Sequence, residues 1–326
     1  MGDHAKPPWW SEERPRIGIS ACLLGNAVRW DGGHKRDPFL TDTFGQFVEW
    51  VPVCPEVEVG LGVPRPTLRL EADGPEVRLR MPSTGEDLTD KMRRWAEKRT
   101  RDLAADRLSG FVVKKDSPSC GMERVRVYTG HGPPRRNGVG VFTAALRAAF
   151  PHLPVEEEGR LNDPRLRENF VERVFAYQRL HQLFRKRWTR GDLVAFHTAH
   201  KLQLLAHAPS RYRELGELVA HAKRWPRDEL QARYAQGFMT ALEVCATPRR
   251  HANVLQHMLG YLRKHIEAES RSELVELIED YRRGLVPLIV PLTLLGHFVR
   301  RHRIEYLLGQ TYLEPHPREL MLRNHV

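Results

Sequence analysis

At 326 residues the chain exceeds the roughly 250–300 at which a single hydrophobic core stops growing, so two domains are expected. Hydrophobic content of 41% and charged content of 29% exclude a disordered or fibrous protein. Four cysteines at irregular spacing exclude a secreted disulfide framework and suit a reducing cytoplasm, and the net charge of +11 allows a polyanionic partner without establishing one.

Residues 1–15 are polar, lack an apolar signal core and are expected to form a flexible tail. From residue 16 to 152 strand-like and helix-like stretches alternate. Residues 17–24 form a short apolar run and 39–49 suit a helix. Residues 47–53 lead into Cys54, 87–108 form an amphipathic helix, 111–115 a compact strand, and 138–150 a loop entering a last helix. That alternation implies βαβ units and a mainly parallel, Rossmann-like sheet. Ligands of such sheets bind at the carboxyl ends of strands, and Cys22, Cys54 and Cys120 each follow one.

Prolines, an acidic run and a glycine mark residues 153–164 as a linker. Thereafter 165–187, 191–208, 212–222, 227–246, 249–267, 271–284 and 290–308 read as helices, giving an all-α domain over 165–326. The apolar stretch 285–299 is too short to span a bilayer and is broken by Pro287 and Pro291, so no membrane partner is expected.

Spacing alone leaves the three strand-end cysteines open between buried small side chains and metal ligands. The absence of C-x-x-C disfavours structural zinc. Three thiolates on a cubane cluster that normally takes four would leave one iron open. Cys245, in QGFMTALEVCATP, reads as a helix-packing thiol. His197, His200 and His207 read as helix-surface or interhelical side chains rather than zinc ligands, and Trp30 to His34 (WDGGH) as a tight turn over the crevice. Basic clusters at 93–99, 185–190, 249–250 and 300–303 read as solvated faces, with nearby Trp95, Trp188, Tyr261 and Tyr306 making RNA contact conceivable.

The segments SACLLGNAVRWDGGHK (20–35), VPVCPEVEVGLGVPRP (51–66), VVKKDSPSCG (112–121) and GVGVFTAAL (138–146) occur in order and resemble the thiouracil desulfidase (TudS-like) family. FHTAHKLQLLAH, YRELGELVA, HANVLQHMLGYLRKHI and GLVPLIVPLTLLGHFVRRH resemble the helical domain often fused to it, so the whole is similar to RudS-type tRNA 4-thiouridine desulfidases. The resemblance implies a [4Fe-4S] cluster bound by three cysteines, Cys22, Cys54 and Cys120, with Glu56 as proton shuttle and Ser117, preferred over Ser119, as a substrate-contacting serine. It implies tRNA containing 4-thiouridine as partner and a cytoplasmic enzyme without disulfides. The rivals are a desulfidase of free thiouracil bases and a non-enzymatic iron–sulfur RNA-binding regulator.

Overall fold

The computed structural model describes Trp9 and residues 13–130, 132–185 and 187–326. The backbone divides into two compact units, one over 13–162 and the other over 163–326 together with Trp9.

The first unit contains, in chain order, β1 (Arg16–Ser20), β2 (Glu49–Val53), α1 (Pro55–Glu58), β3 (Arg69–Asp73), β4 (Glu76–Met81), β5 (Glu86–Asp87), α2 (Thr89–Ala105), β6 (Gly110–Val113), β7 (Val125–Tyr128), β8 (Arg135–Gly138), α3 (Val141–Ala149) and β9 (Val155–Glu157). Four strands form a sheet in the order β2-β1-β6-β9, every neighbouring pair parallel. This is the α/β sheet the alternation implied. Its central strands β1 and β6 are mostly apolar because both faces are covered: Ile17, Ile19, Phe111, Val112 and Val113 are fully buried. Met92, Ala96 and Leu103 put the apolar face of α2 inward. Phe142 of α3 lies 5.6 Å from Phe111 and 5.5 Å from Trp95 of α2, joining the two helices to the sheet. Gly18 is required here, since a Cβ would sit 2.2 Å from the Phe111 ring.

A second sheet, ordered β5-β4-β3-β7-β8, was not anticipated. It is antiparallel except for the parallel pair β3–β7, and it buries Leu70, Leu79, Val125 and Val127. The helix expected at 39–49 is instead a π-helical turn at Phe39–Thr43 and a 3-10 turn at Phe44–Gln46, followed by β2.

Two expected boundaries need correction. The stretch 153–164, read as a linker, contains β9, whose Val155 pairs with Phe111; its acidic run stays in the sheet because Glu157 accepts from the Met122 N–H and Glu156 pairs with Arg160. Of the tail at 1–15, residues 1–8 and 10–12 lie outside the described residues. Trp9 is buried edge-on against Phe196 at 5.5 Å, and the Pro15 carbonyl accepts from the Glu49 N–H, so neither end of the described tail is free.

The second unit is helical: α4 (Pro164–Arg185), α5 (Arg190–His207), α6 (Pro209–Ala220), α7 (Arg227–Glu243), α8 (Pro248–Leu262), α9 (Ala268–Arg282), α10 (Ile289–Arg301) and α11 (Glu305–Leu308). All eight overlap the seven read from the sequence, the last reading, 290–308, dividing into α10 and α11, because caps and breakers set their ends. Thr189 and Asp192 close a reciprocal capping box that starts α5. Pro291 lies in the first turn of α10, where a missing N–H costs little, so it starts a helix rather than kinking one. The core includes Leu202, Val254, Leu255, Met258, Leu274, Ile278 and Leu295. Within it α4 carries two buried carboxylates: Glu168 pairs with Arg323 at 3.1 Å and Glu172 with His207 at 3.2 Å. No helix of the described residues is long and apolar enough to cross a membrane.

Candidate active site

Parallel registry brings the strand ends together. Ser20 of β1 lies opposite Val53 of β2, and Ile19 opposite Val112 of β6, so the chain leaves all three strands at one edge. Cys22 enters a 3-10 turn directly after β1. Cys54 precedes α1 and its N–H donates to Glu58 Oε1 at 3.0 Å. Cys120 closes the loop after β6, where its N–H and that of Ser119 donate to Ser117 Oγ at 3.1 and 3.3 Å. Gly140 lets this loop pack against the start of α3: a Cβ there would lie 2.6 Å from the Ser119 carbonyl and 2.7 Å from the Cys120 nitrogen.

All three cysteines line one cavity of about 500 Å³, together with Glu56, Ser117 and Trp30. The five site residues named from the sequence therefore share one wall system. Trp30 lies in the turn expected of WDGGH, which is closed by Gly32 N–H donating to the Arg29 carbonyl at 3.0 Å.

The structure adds two groups that sequence reasoning missed or ranked lower. Arg65 is buried; its Nε and Nη2 lie 2.9 and 2.7 Å from Glu56 Oε2, and it also donates to the carbonyls of Gly62 and Val28. Its backbone N–H donates to the Trp30 carbonyl. One side chain thus ties together the segments carrying Trp30, Glu56 and the cavity lip. The signal in the sequence was an arginine held between Pro64 and Pro66. Ser119, fully buried, donates to Glu56 Oε1 at 3.0 Å, while Ser117 faces the cavity and caps the Cys120 turn. The two serines divide the work: one orients the carboxylate, the other reaches the cavity.

Burial pushes the Cys22 thiol up to about 11, against the opposing pull of Lys114 and Arg29; burial also raises Cys54 and Cys120. A buried thiol at this height binds metal only by surrendering its proton, so a cation must supply the compensating charge. Among the described residues no group of three His, Cys, Asp or Glu side chains is arranged to hold a metal ion. A single ion needs its donors around one centre, whereas a cluster offers a separate iron to each thiolate. Three free thiols, all soft donors on one cavity wall with no fourth, fit the second kind of group.

Cys245 lies two residues beyond α7, in the helical unit, and lines a small crevice with Glu168 and His251. His197, His200 and His207 are buried between helices, bonded to Tyr234, the Phe196 carbonyl and Glu172.

Residues 17–158 match the model of the 2-thiouracil desulfurase family, and residues 201–317 that of DUF1722, a family of unknown function. The uncharacterized protein YbgA of Escherichia coli (strain K12) is 39% identical over 165 residues, 50% of this chain and 98% of that protein. The uncharacterized protein YbbK of Bacillus subtilis (strain 168) is 28% identical over 150 residues, 44% of this chain and 97% of that one. The solved structure of the [4Fe-4S]-dependent thiouracil desulfidase TudS is 33% identical and covers 48% of this chain and 100% of its own, with a TM-score of 0.39. The chain belongs to the 2-thiouracil desulfurase family through its α/β unit, and it carries a DUF1722 domain in its helical unit.

Proposed function

We propose that this chain removes sulfur from 4-thiouridine in tRNA, leaving uridine, with Cys22, Cys54 and Cys120 holding a [4Fe-4S] cluster. The observation that carries the reading is the meeting of three unpaired thiols and the Arg65-held Glu56 in one cavity at the carboxyl ends of parallel strands. When bound through three thiolates, such a cluster supplies an open, Lewis-acidic iron for the soft thiocarbonyl sulfur.

The protein's own groups do the rest. Water adds at C4 of the base, Glu56 accepts its proton, and the C–S bond breaks to release sulfide, so the sum is a hydrolysis without redox change. Arg65 and Ser119 hold the Glu56 carboxylate in one orientation, so no reorganisation is needed when the proton moves. Ser117 offers a hydroxyl to the polar edge of the base, and Trp30, 46% exposed, offers it a face. Lys35, Lys115 and Arg126 on the same wall suit the phosphates flanking a nucleotide. The thiolated base must leave its stack to enter, at a cost of a few kcal/mol, which phosphate contacts by the helical unit would offset.

The test is anaerobic reconstitution followed by incubation with thiolated tRNA and with free 2-thiouracil. The proposal expects iron near four per chain, a brown chromophore and loss of 4-thiouridine from tRNA. Consumption of the free base alone favours the thiouracil reading. Tight tRNA binding with the sulfur retained favours a regulator.

A further inference from the structure

The acidic run Glu156-Glu157-Glu158 closes β9 beside the loop that carries Ser117, Ser119 and Cys120, and its carboxylates reach both ends of that loop. At the entry, Glu158 Oε2 accepts from the Lys115 N–H at 2.7 Å while Oε1 pairs with the Lys114 ammonium. At the exit, Glu157 Oε1 accepts from the Met122 N–H at 2.8 Å and, more distantly, from the Glu123 N–H at 3.5 Å. Arg160 extends the exit clamp, reaching Glu156 at 2.7 Å and Glu123 at 3.0 Å. The entry is also tied to β1, because the Lys114 N–H donates to Ser20 Oγ at 2.9 Å, two residues before Cys22.

Strand geometry allows neighbouring carboxylates to serve opposite ends. Successive side chains of a strand point to opposite faces, and the loop leaves β6 right after Val113, the register partner of Glu157. Stability alone is a poor reason for the arrangement. Glu156 and Glu157 are buried, and burial pushes the Glu157 carboxyl up. Apolar side chains would close the strand end at less cost, but they would leave the Lys115 and Met122 N–H groups without these acceptors. Hydrogen bonds from N–H to a carboxylate are short and strong, which suits them to fixing a loop rather than merely covering it.

We propose that Glu157 and Glu158 are positioning residues that fix the Cys120 thiol relative to Cys22 and Cys54, Glu157 by holding the exit of the loop and Glu158 by holding its entry. Neither carboxylate is among the residues lining the cavity, so both act through the loop. Glu158 also carries the Lys114 ammonium to the cavity wall. That the fixed thiol serves a cluster rests on the desulfidase reading; the clamp itself does not.

The experiment follows alkylation of each cysteine by iodoacetamide in the cluster-free full chain, read by peptide mass spectrometry at mildly alkaline pH. Glu157→Ala and Glu158→Ala should each speed labelling of Cys120 about tenfold, through local opening of the loop, while Cys22 and Cys54 stay within about twofold of the unaltered protein. Glu157→Gln, whose amide oxygen can still accept the Met122 N–H, should restore most of the protection. Leu79→Ala, which loosens the second sheet away from the loop, should not single out Cys120, and thermal melting checks that each variant folds. Unchanged labelling in the alanine variants overturns the proposal, as does a uniform rise at all three thiols or a Gln variant as labile as the Ala one. Chelator challenge of the reconstituted chain gives a second reading: iron should leave Glu157→Ala faster than Leu79→Ala, and equal loss overturns the proposal. If Cys120 alone is freed while the unaltered, iron-loaded protein leaves thiolated substrates intact, the clamp stands and the desulfidase reading falls. If sulfur is removed but labelling is unchanged or uniform, the reverse holds.

Discussion

Arg65 and Glu56 form an ion pair in which two guanidinium nitrogens converge on one carboxylate oxygen, Oε2, leaving Oε1 to the Ser119 hydroxyl. The arginine side chain is 3% exposed and the glutamate 15%, so the pair is screened from water on the arginine side and open on the carboxylate side. Arg65→Leu should therefore destabilise the α/β unit by about 3 kcal/mol, because it strands a carboxylate in a largely dry place. Adding Glu56→Gln should recover part of that loss, a coupling measurable by denaturant titration of the two single variants and the double. Arg65→Lys should not substitute, since an ammonium cannot reach Oε2 and the Gly62 and Val28 carbonyls together.

The thiols give a pH-dependent prediction in the cluster-free chain. With Cys22 raised by burial to about 11, its thiolate fraction near neutral pH should be about a hundredfold below that of an ordinary cysteine. Alkylation of Cys22, followed by peptide mass spectrometry, should be slow at pH 7 and accelerate toward pH 11. Rapid labelling at neutral pH would show that the thiol is not buried as described. Serine at position 22, 54 or 120 should each lower bound iron after reconstitution, whereas Cys245→Ser should retain it.

Gly140→Ala forces a methyl group onto the backbone of Ser119 and Cys120. Backbone cannot swing aside as a side-chain tip can, so the loop must shift at a cost of about 1–3 kcal/mol. Reduced melting temperature together with reduced iron retention is the expected outcome; a variant that loads iron normally would argue against this packing.

The helical unit should lose stability in mild acid. Burial lowers His197 and His251 to about 4 and His200 to about 3, so these rings are neutral in the folded state. Between the unfolded value near 6.5 and these folded values, the unfolded chain binds more protons, and stability falls as pH falls. Each histidine contributes about 1.4 kcal/mol per pH unit over its window. His207 works in the other direction: Glu172 raises it, so its contribution is already complete below 6.5 and is lost only at higher pH. Glu168 and Glu172, held low by their basic neighbours, contribute above the ordinary carboxylate value, and that contribution is lost only further into acid. Melting at pH 7, 6 and 5 should show a progressive fall.

What the sequence made legible follows from which signals are local. Helix ends are written in caps and breakers, so α4 to α10 could be read to within a few residues. Expected helices over 227–246 and 290–308 overran where Val244 turns extended and Arg303 turns left-handed, and the one over 249–267 ran five residues past Leu262, the end of α8. Cys22 and Cys54 could be assigned to strand ends because β1, β2 and β6 are apolar runs. The second sheet escaped because β3 and β4 are amphipathic and arginine-rich, their pairing announced mainly by the turn Gly74-Pro75. Arg65 escaped for a different reason: it lies outside any helix or strand, nine positions from its partner Glu56 in α1, and no periodicity marks that contact.

The most direct test of the account is nucleoside analysis of thiolated tRNA after anaerobic incubation with the cluster-loaded chain. Replacement of 4-thiouridine by uridine with matching release of sulfide, lost in Glu56→Gln protein that still carries its full iron, is the predicted result. Thiolated tRNA that keeps its sulfur in the presence of fully loaded protein would contradict it.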